Sequence, residues 1–457
     1  MRSGSLQRTA NVAVTGSYDR MDQVGRMIRT RGFKHGGVPV PHRVPFKTGP
    51  IENAFLPKNA VVMLKDTRDA VEPLPVVYVG QEVRESQLLA KSAGRGSSNV
   101  HSPIPGIVRR IDSTMTPGGF ESRAILVSLE GSFSVLGKRP ERYLWKSLNK
   151  ADISHIVQEK GIVRISTGEP LAEIIAERAS RPGFVLVISA LEMDPYRRTE
   201  EELLAIRPED IVDGCAIAAR MALPSRILLA VDEHISAGTV EQLQKVIAAS
   251  ELDIVVQPFK RRFPQDMTRQ IAEALDIADA GTLFVLEPST LIALHEAVVA
   301  NKPHVEQYVY VGGGAIKHPA ILKARIGAPI GDLIEECGGF SGHPDTIVIG
   351  GPLRGRAAAD LDVSVTRTTR AVLALTVEET KSAPERSCVR CGDCITVCPE
   401  GLDPHAIFKL LRAGRTADAV ASGLALCSLC GSCAYACRSR IPLVQKFDAA
   451  RRNEELR

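Results

Sequence analysis

The chain has 457 residues, 44% of them apolar and 24% charged, with a net charge of +4. That length accommodates two or three domains with sizeable cores, and the composition excludes disordered and fibrous classes. The mild charge and the 4% aromatic content exclude a nucleic-acid platform, and no apolar run of about eighteen residues is present to span a bilayer.

Residues 1–34 form a basic leader rich in Arg and Ser, with no acid before residue 18. It reads as a flexible extension rather than a transit peptide. Residues 35–150 read as β-rich. Val76–Val79, Val83, Leu88–Ala90 and His101–Val108 are expected as short strands, with Gly94–Ser98 as an exposed turn. This pattern resembles the small β sandwich of lipoyl-carrier domains in a cofactor-free form, with Lys91 as a solvated surface side chain.

Over residues 151–303 the period changes. Phe184–Ile188, Ile227–Val231 and Leu283–Leu286 are continuous apolar runs, as buried parallel strands require, and Leu252–Val256, interrupted by Asp253, reads as a further strand. Helices are expected at Ile211–Met221, Thr239–Ala249, Thr268–Leu275 and Thr290–Ala300. Alternation of this kind predicts βαβ units and a parallel sheet. Residues 304–366 return to strands and glycine turns around one short helix. Residues 367–387 are polar and read as a linker.

Residues 388–457 carry eight of the ten cysteines. They fall in two runs, Cys388-x-x-Cys391-x-x-Cys394-x-x-x-Cys398-Pro399 and Cys427-x-x-Cys430-x-x-Cys433-x-x-x-Cys437. Clustering within a long chain argues for metal rather than a disulfide framework. The spacing is that of bacterial ferredoxins, in which the fourth Cys of each run ligates the other cluster. Cys388, Cys391, Cys394 and Cys437 are therefore assigned to one [4Fe–4S] cluster, and Cys427, Cys430, Cys433 and Cys398 to a second. Structural zinc prefers paired C-x-x-C hooks and explains two complete runs less well. Gly392 and Gly431 let backbone N–H groups approach the sulfurs. Arg438 replaces the proline that ordinarily ends such a run, and a cation there would raise a cluster's potential. His405–Leu411 and Thr416–Leu426 have helical spacing, so the two runs are joined by helices. Cys215 and Cys337 read as small buried residues.

The order of modules, with several short stretches, resembles the RnfC family, whose members belong to the Rnf complex, an ion-pumping electron-transport complex of bacterial membranes. The matching text is His35-Gly36-Gly37-Val38-Pro39, Ser102-Pro103 with Gly106, Ile326-Gly327-Ala328-Pro329 with Asp332-Leu333-Ile334, Gly350-Gly351-Pro352-Leu353 with Gly355, and Ile441-Pro442-Leu443-Val444-Gln445. The resemblance implies an α/β multidomain chain. Its parts would be a lipoyl-like β sandwich, a Rossmann-like domain resembling the flavin subunit of respiratory complex I, a β-grasp-like SLBB module and a helical two-cluster ferredoxin domain. It further implies a peripheral subunit on the cytoplasmic side of the inner membrane, docked on the integral subunits of a complex. FMN would take a hydride from NADH and pass single electrons to the clusters.

Three stretches depart from the family's flavin site. Its glycine loop, of the form GxGGAGFP, reads here Gly161-Ile162-Val163-Arg164-Ile165-Ser166-Thr167-Gly168-Glu169-Pro170, and Glu169 is expected to face the phosphate position. The NGAECEPY-like turn reads Ser189–Tyr196, keeping Glu192, Pro195 and Tyr196; Glu192 is expected as a surface carboxylate and Tyr196 as a fold-stabilising side chain. The YPQGGE-like stretch reads Phe263–Thr268 without its glycines. Two readings stay open for FMN and NADH: a rewritten but working site, or a lost one with electrons supplied by a protein donor such as ferredoxin or flavodoxin. The sequence favours the lost site. A soluble microcompartment cobalamin reductase shares the module order and is the remaining alternative.

Overall fold

The computed structural model describes residues 20–21, 27–41, 51–133, 142–380 and 384–453. Most of the basic leader lies outside them. Its end, expected to be flexible, is docked: Arg31 bridges in parallel to Phe259, and the Arg31 carbonyl accepts from the Lys260 N–H.

After a two-residue antiparallel pairing of Arg20–Met21 with Met27–Ile28 come eight strands: β1 (Glu52–Asn53), β2 (Asn59–Met63), β3 (Leu74–Pro75), β4 (Glu82–Val83), β5 (Leu88–Lys91), β6 (Val100–His101), β7 (Gly106–Met115) and β8 (Glu121–Leu129). One sheet has the order β2-β8-β7-β4 and a second β3-β5-β6. Val62, Leu89, Val108 and Ile125 from the two sheets share one core. The run Val76–Val79 is not a strand. Only Val77 turns inward, while Val76, Tyr78 and Val79 stay exposed. Composition alone does not say which side of a short segment faces a core.

The central module alternates as expected: α1 (Lys150–Glu159), α2 (Leu171–Ala179), β9 (Val185–Ser189), α3 (Thr199–Ile206), α4 (Pro208–Ala222), β10 (Arg226–Asp232), α5 (Ala237–Ala249), β11 (Ile254–Phe259), α6 (Thr268–Ala274), β12 (Leu283–Leu286) and α7 (Pro288–Ala300). α1 starts on a reciprocal cap, the Asn149 side chain accepting from Asp152 N–H and the Asp152 side chain from Asn149 N–H. The four strands are all parallel, in the order β11-β10-β9-β12. Leu186, Ile188 and Leu286 pack on one face against α4 and α7, and Val187, Leu228 and Val285 on the other with Phe259 and Phe263. Burial on both faces explains the unbroken apolar runs. Strand order reverses between β9 and β12, so the ligand crevice of such a sheet lies beyond their carboxyl ends.

The third sheet gathers distant segments. β13 (Glu306–Gly312), β14 (Ala320–Arg325), α8 (Ile330–Glu336), β15 (Thr346–Ile349), β16 (Arg356–Ala357) and β17 (Ala371–Leu375) are followed by the cysteine module. The strand order is β16-β15-β17-β13-β14-β1. β17 overturns the expected linker at 367–387. Its five residues are all buried, and it lies between β15 and β13. Burying each of its larger side chains contributes ~1.5–3 kcal/mol. The polar run before it masked the signal.

The cysteine module contains α9 (Asp393–Thr396), α10 (Pro404–Arg412), α11 (Thr416–Ala421), α12 (Ser432–Ala436) and α13 (Leu443–Asn453). Ile407, Phe408, Leu424, Leu443 and Phe447 form its core. α10 begins where Asp403 accepts from the Ala406 N–H at 2.9 Å.

Candidate metal centre

The two cysteine runs fold into the same backbone shape. Arg390 and Leu429 take matching left-handed conformations (φ 55° and 52°), followed by Gly392 and Gly431 (φ 79° and 89°) at the starts of α9 and α12. This repeat brings thiols from both runs together. Cys388, Cys391, Cys394 and Cys437 line one cavity of about 90 Å³, walled by Ile395, Phe408, Ile441 and Leu443. Burial pushes the Cys394 thiol up to about 11, with Asp403, Cys391 and Cys437 adding to the effect.

Cys398 stands with the other run. Burial raises the Cys433 thiol, and neighbouring Cys430, Cys427 and Cys398 raise it further. Burial likewise pushes Cys427 up to about 11, with Cys430 and Cys398 as neighbours. Four thiolates crowd together only if positive charge sits among them, which an iron–sulfur core supplies. Among the described residues no three His, Cys, Asp or Glu side chains converge on a single-ion point. Backbone N–H groups also reach the sulfurs: Arg390 donates to Cys388 Sγ, Leu402 to Cys398 Sγ and Ile441 to Cys437 Sγ, each at 3.4 Å. Such N–H···S contacts tune a cluster from outside its ligands. The donor set and its surroundings fit two [4Fe–4S] clusters.

The sets differ in exposure. Cys388 and Cys391 are exposed, whereas Cys398, Cys430 and Cys433 are buried. The buried set faces the rest of the chain. Gly37 N–H donates to the Val397 carbonyl at 2.8 Å, so the His35-Gly36-Gly37 stretch runs along the segment holding Cys398. Cys430 packs in a core with Val38, Met193 and Leu353. Arg438 Nε pairs with Asp393 Oδ2 at 2.7 Å on the solvent side of α9. Its charge is therefore balanced, which weakens the expected rise in potential. Cys215 and Cys337 are buried, and burial pushes each thiol up to about 12, an inert state.

The crevice beyond β9 and β12 holds charges instead of a bare glycine loop. Glu192, expected at the surface, is buried and pairs with Arg197 at 3.1 Å. It also accepts from the Glu200 N–H at 2.7 Å. Glu200 in turn accepts from the Ser289 N–H and hydroxyl. Burial, with Glu192 and Glu287 nearby, pushes the Glu200 carboxyl up to about 7. Tyr196 is buried and its hydroxyl bonds Glu379, a structural role as expected.

The loop at 161–170 spends its amides internally. Arg164 N–H donates to the Glu169 carbonyl, Thr167 and Gly168 N–H to the Arg164 carbonyl, and Ile165 N–H to Thr290 Oγ1. Glu169 does not face a desolvated phosphate position; it is exposed and accepts from the Thr167 hydroxyl at 2.7 Å. A phosphate needs free amides in such a loop, and this one does not offer the usual cradle to FMN. Phe263–Thr268 is likewise structural: Val38 bridges to Phe263, and Gln265 Oε1 accepts from the Phe33 N–H. Sequence reasoning missed four arginines, Arg197, Arg354, Arg356 and Arg370, that meet beside this crevice.

Three family descriptions match the chain: an RnfC barrel sandwich hybrid domain over residues 32–132, a Nuo51 FMN-binding domain over 166–283 and an SLBB domain over 308–357. This combination defines a multidomain redox protein. Among curated proteins, the chain is 27% identical to a subunit of the proton-translocating ferredoxin:NAD(+) oxidoreductase complex of Clostridium ljungdahlii, over 83% of this chain and 84% of that one. It is 29% identical to a subunit of the ion-translocating oxidoreductase complex of Rhodobacter capsulatus, over 88% and 80%. The chain is thus similar to RnfC-type subunits along most of its length. Among solved structures, an NAD+-reducing [NiFe]-hydrogenase chain aligns at TM-score 0.46 and 16% identity, over 67% of this chain and 62% of that one.

Proposed function

We propose that this chain is the peripheral iron–sulfur subunit of an Rnf-like, ion-translocating membrane oxidoreductase complex, docked on the cytoplasmic side of the inner membrane. The observation that carries this reading is the pairing of an exposed and a buried thiol set within one module. Cys388, Cys391, Cys394 and Cys437 would hold one [4Fe–4S] cluster, and Cys427, Cys430, Cys433 and Cys398 the other. Bound there, each cluster supplies one-electron transfer. The thiolates fix the clusters, the Arg390, Leu402 and Ile441 amides bias them electrostatically, and Phe408, Ile441 and Leu443 form the inner wall of the first cavity.

The exposed set is the face for a protein partner. Val389 and Ile395 stand exposed beside Cys388 and Cys391. Among the described residues no helix is long and apolar enough to cross a membrane, in keeping with docking on integral subunits. The spent amides of the 161–170 loop support a protein electron donor, such as ferredoxin or flavodoxin, over NADH. The competing reading, NADH oxidation through bound FMN, draws on the match to an FMN-binding domain.

The test is anaerobic purification with iron, sulfide and flavin counts, followed by addition of NADH, dithionite or reduced ferredoxin. A brown, flavin-free protein bleached by dithionite and ferredoxin but not by NADH is expected. A colourless, iron-free protein sinks the electron-transfer reading; stoichiometric FMN with bleaching by NADH moves the assignment to the competing one.

A further inference from the structure

The stretch Val71–Gly80 edges the β3-β5-β6 sheet, and its side chains alternate. Val77 turns into the core of the barrel sandwich, whereas Leu74, Val76 and Tyr78 face solvent at 59%, 50% and 69% exposure. Val79 and Val71, also exposed, extend the same run. Exposed apolar side chains this close together form a patch, which water disfavours, rather than the scattered single residues of an ordinary surface.

The patch is held outward by a fixed backbone. Leu74 pairs with exposed Lys91 and Pro75 with buried Ala90, which sets the register. Val76 N–H donates to the Leu89 carbonyl at 2.9 Å. Beyond it the chain turns. Tyr78 N–H donates to Gln81 Oε1 and Gln81 N–H to the Tyr78 carbonyl, each at 3.1 Å, and Gly80 N–H ties the turn to the Val108 carbonyl at 2.7 Å. Nothing lies within 4 Å of where a Cβ on Gly80 would sit, so the turn stands clear of the domain with Tyr78 and Val79 beside its tip.

Three exposed cations track the patch. Arg95 adjoins Gly96, whose carbonyl accepts from the Val71 N–H; Lys91 stands opposite Leu74; Arg84 follows β4 just past the turn. Arg109 and Arg110 on β7 pair with Glu130 and Asp112. Arg84, Lys91 and Arg95 have no carboxylate within ion-pair distance among the described residues. The acids of this stretch are drawn elsewhere: Glu72 pairs with Arg123, and Glu82 reaches towards Gly131, which leaves Asp69 exposed at the Val71 end. Pro73 and Pro75 take two amide donors from the edge, so it is ill suited to accept a strand from a second copy or a partner. Apolar side chains around an amphipathic Tyr, flanked by unpaired cations, suit a bilayer surface: Tyr sits at the headgroup boundary and anionic lipids attract Lys and Arg.

We infer that the Val71–Gly80 edge of the barrel sandwich sits directly in the surface of an anionic lipid bilayer, a contact separate from docking on integral subunits. The inference rests on the peripheral placement proposed above; iron content and dithionite bleaching of the same samples report on the electron relay, so the two fail separately. The full-length, cluster-loaded protein is co-sedimented with vesicles of phosphatidylglycerol and phosphatidylethanolamine, and with vesicles of phosphatidylcholine alone. Binding to the anionic vesicles that weakens with salt is expected, with far less to the neutral ones. Tyr78→Ser with Val79→Ser should weaken it roughly tenfold or more, and Lys91→Gln roughly fivefold. Lys245→Gln, on α5 of the central module, should leave it unchanged. These side chains are all exposed, so the melting temperatures should hold. Absence of binding to the anionic vesicles, or binding unchanged in both the double variant and Lys91→Gln, overturns the inference. Equal binding to both vesicle types overturns it as well. Self-association, or retention by membranes that hold the integral subunits, lost in the double variant without any binding to vesicles, gives the patch to a protein and overturns it too.

Discussion

Gly36 lies against the backbone of Cys398: a Cβ on Gly36 would sit 2.4 Å from the Cys398 carbonyl oxygen. Gly36 also takes a left-handed conformation (φ 68°). The start of the chain is thus a clamp on the buried thiol set, and the HGGVP-like stretch acquires a physical role. Gly36→Ala should cost ~1–2 kcal/mol from the backbone alone, with the clash added. Iron content should fall selectively in the buried set, measured by iron assay and the spectrum of the reduced protein. Full iron and an unchanged melting temperature would show that the clamp is dispensable.

The crossed assignment of Cys398 and Cys437 separates from a sequential one by paired substitutions. Cys388→Ser with Cys437→Ser should remove one cluster and leave about half the iron, because both serve one centre. Cys427→Ser with Cys437→Ser should remove both. The reverse pattern, with both clusters lost in the first double variant and one in the second, refutes crossing.

Arg438 and Asp393 cancel each other near the exposed set. Asp393→Asn frees the cation and should raise that cluster's potential by roughly a few tens of millivolts, an effect weakened by salt. Arg438→Pro alone should move the potential in the opposite direction. A redox titration at low and high ionic strength decides; a fall in potential for Asp393→Asn refutes the balance.

Glu200 gives a stability dependence on pH. Its carboxyl is raised from 4.5 to about 7 in the folded chain, by burial first and then by Glu192. Between those values the folded state holds a proton that the unfolded state has released. This contribution is therefore full below pH 4.5 and is lost as pH rises through about 7. Glu200→Gln keeps an acceptor for Ser289 and removes the titration. Its melting temperature should fall less than the parent's between pH 5 and 8, by roughly a few degrees. Parallel curves for the two proteins refute the assignment.

The parallel sheet was readable because strands covered on both faces must be apolar throughout, and Phe184–Ile188 and Leu283–Leu286 are. The cysteine spacing named the candidate ligands, since it sits within short stretches of chain. The run Val76–Val79 misled because its apolar side chains mostly face solvent. Strand β17 was missed because Thr366–Arg370 looks like a polar connection, although its hydroxyls and Arg370 turn into a cavity. Glu192 looked like a surface acid because its partner, Arg197, is apparent only once the turn after β9 is folded. The arginine cavity draws on residues from 117 to 370 and has no local signature.

Strand β17 sits in mid-sheet, and thirteen positions later the first cysteine run begins. The six-stranded sheet also takes in Glu52–Asn53 from the opening of the chain. A cut at residue 366 would therefore strip a buried strand from one unit and its footing from the next. The modules read as beads in sequence, yet they cannot be traded singly between proteins as self-contained cassettes. Shuffling of this architecture is constrained to move the sheet and the cysteine module together.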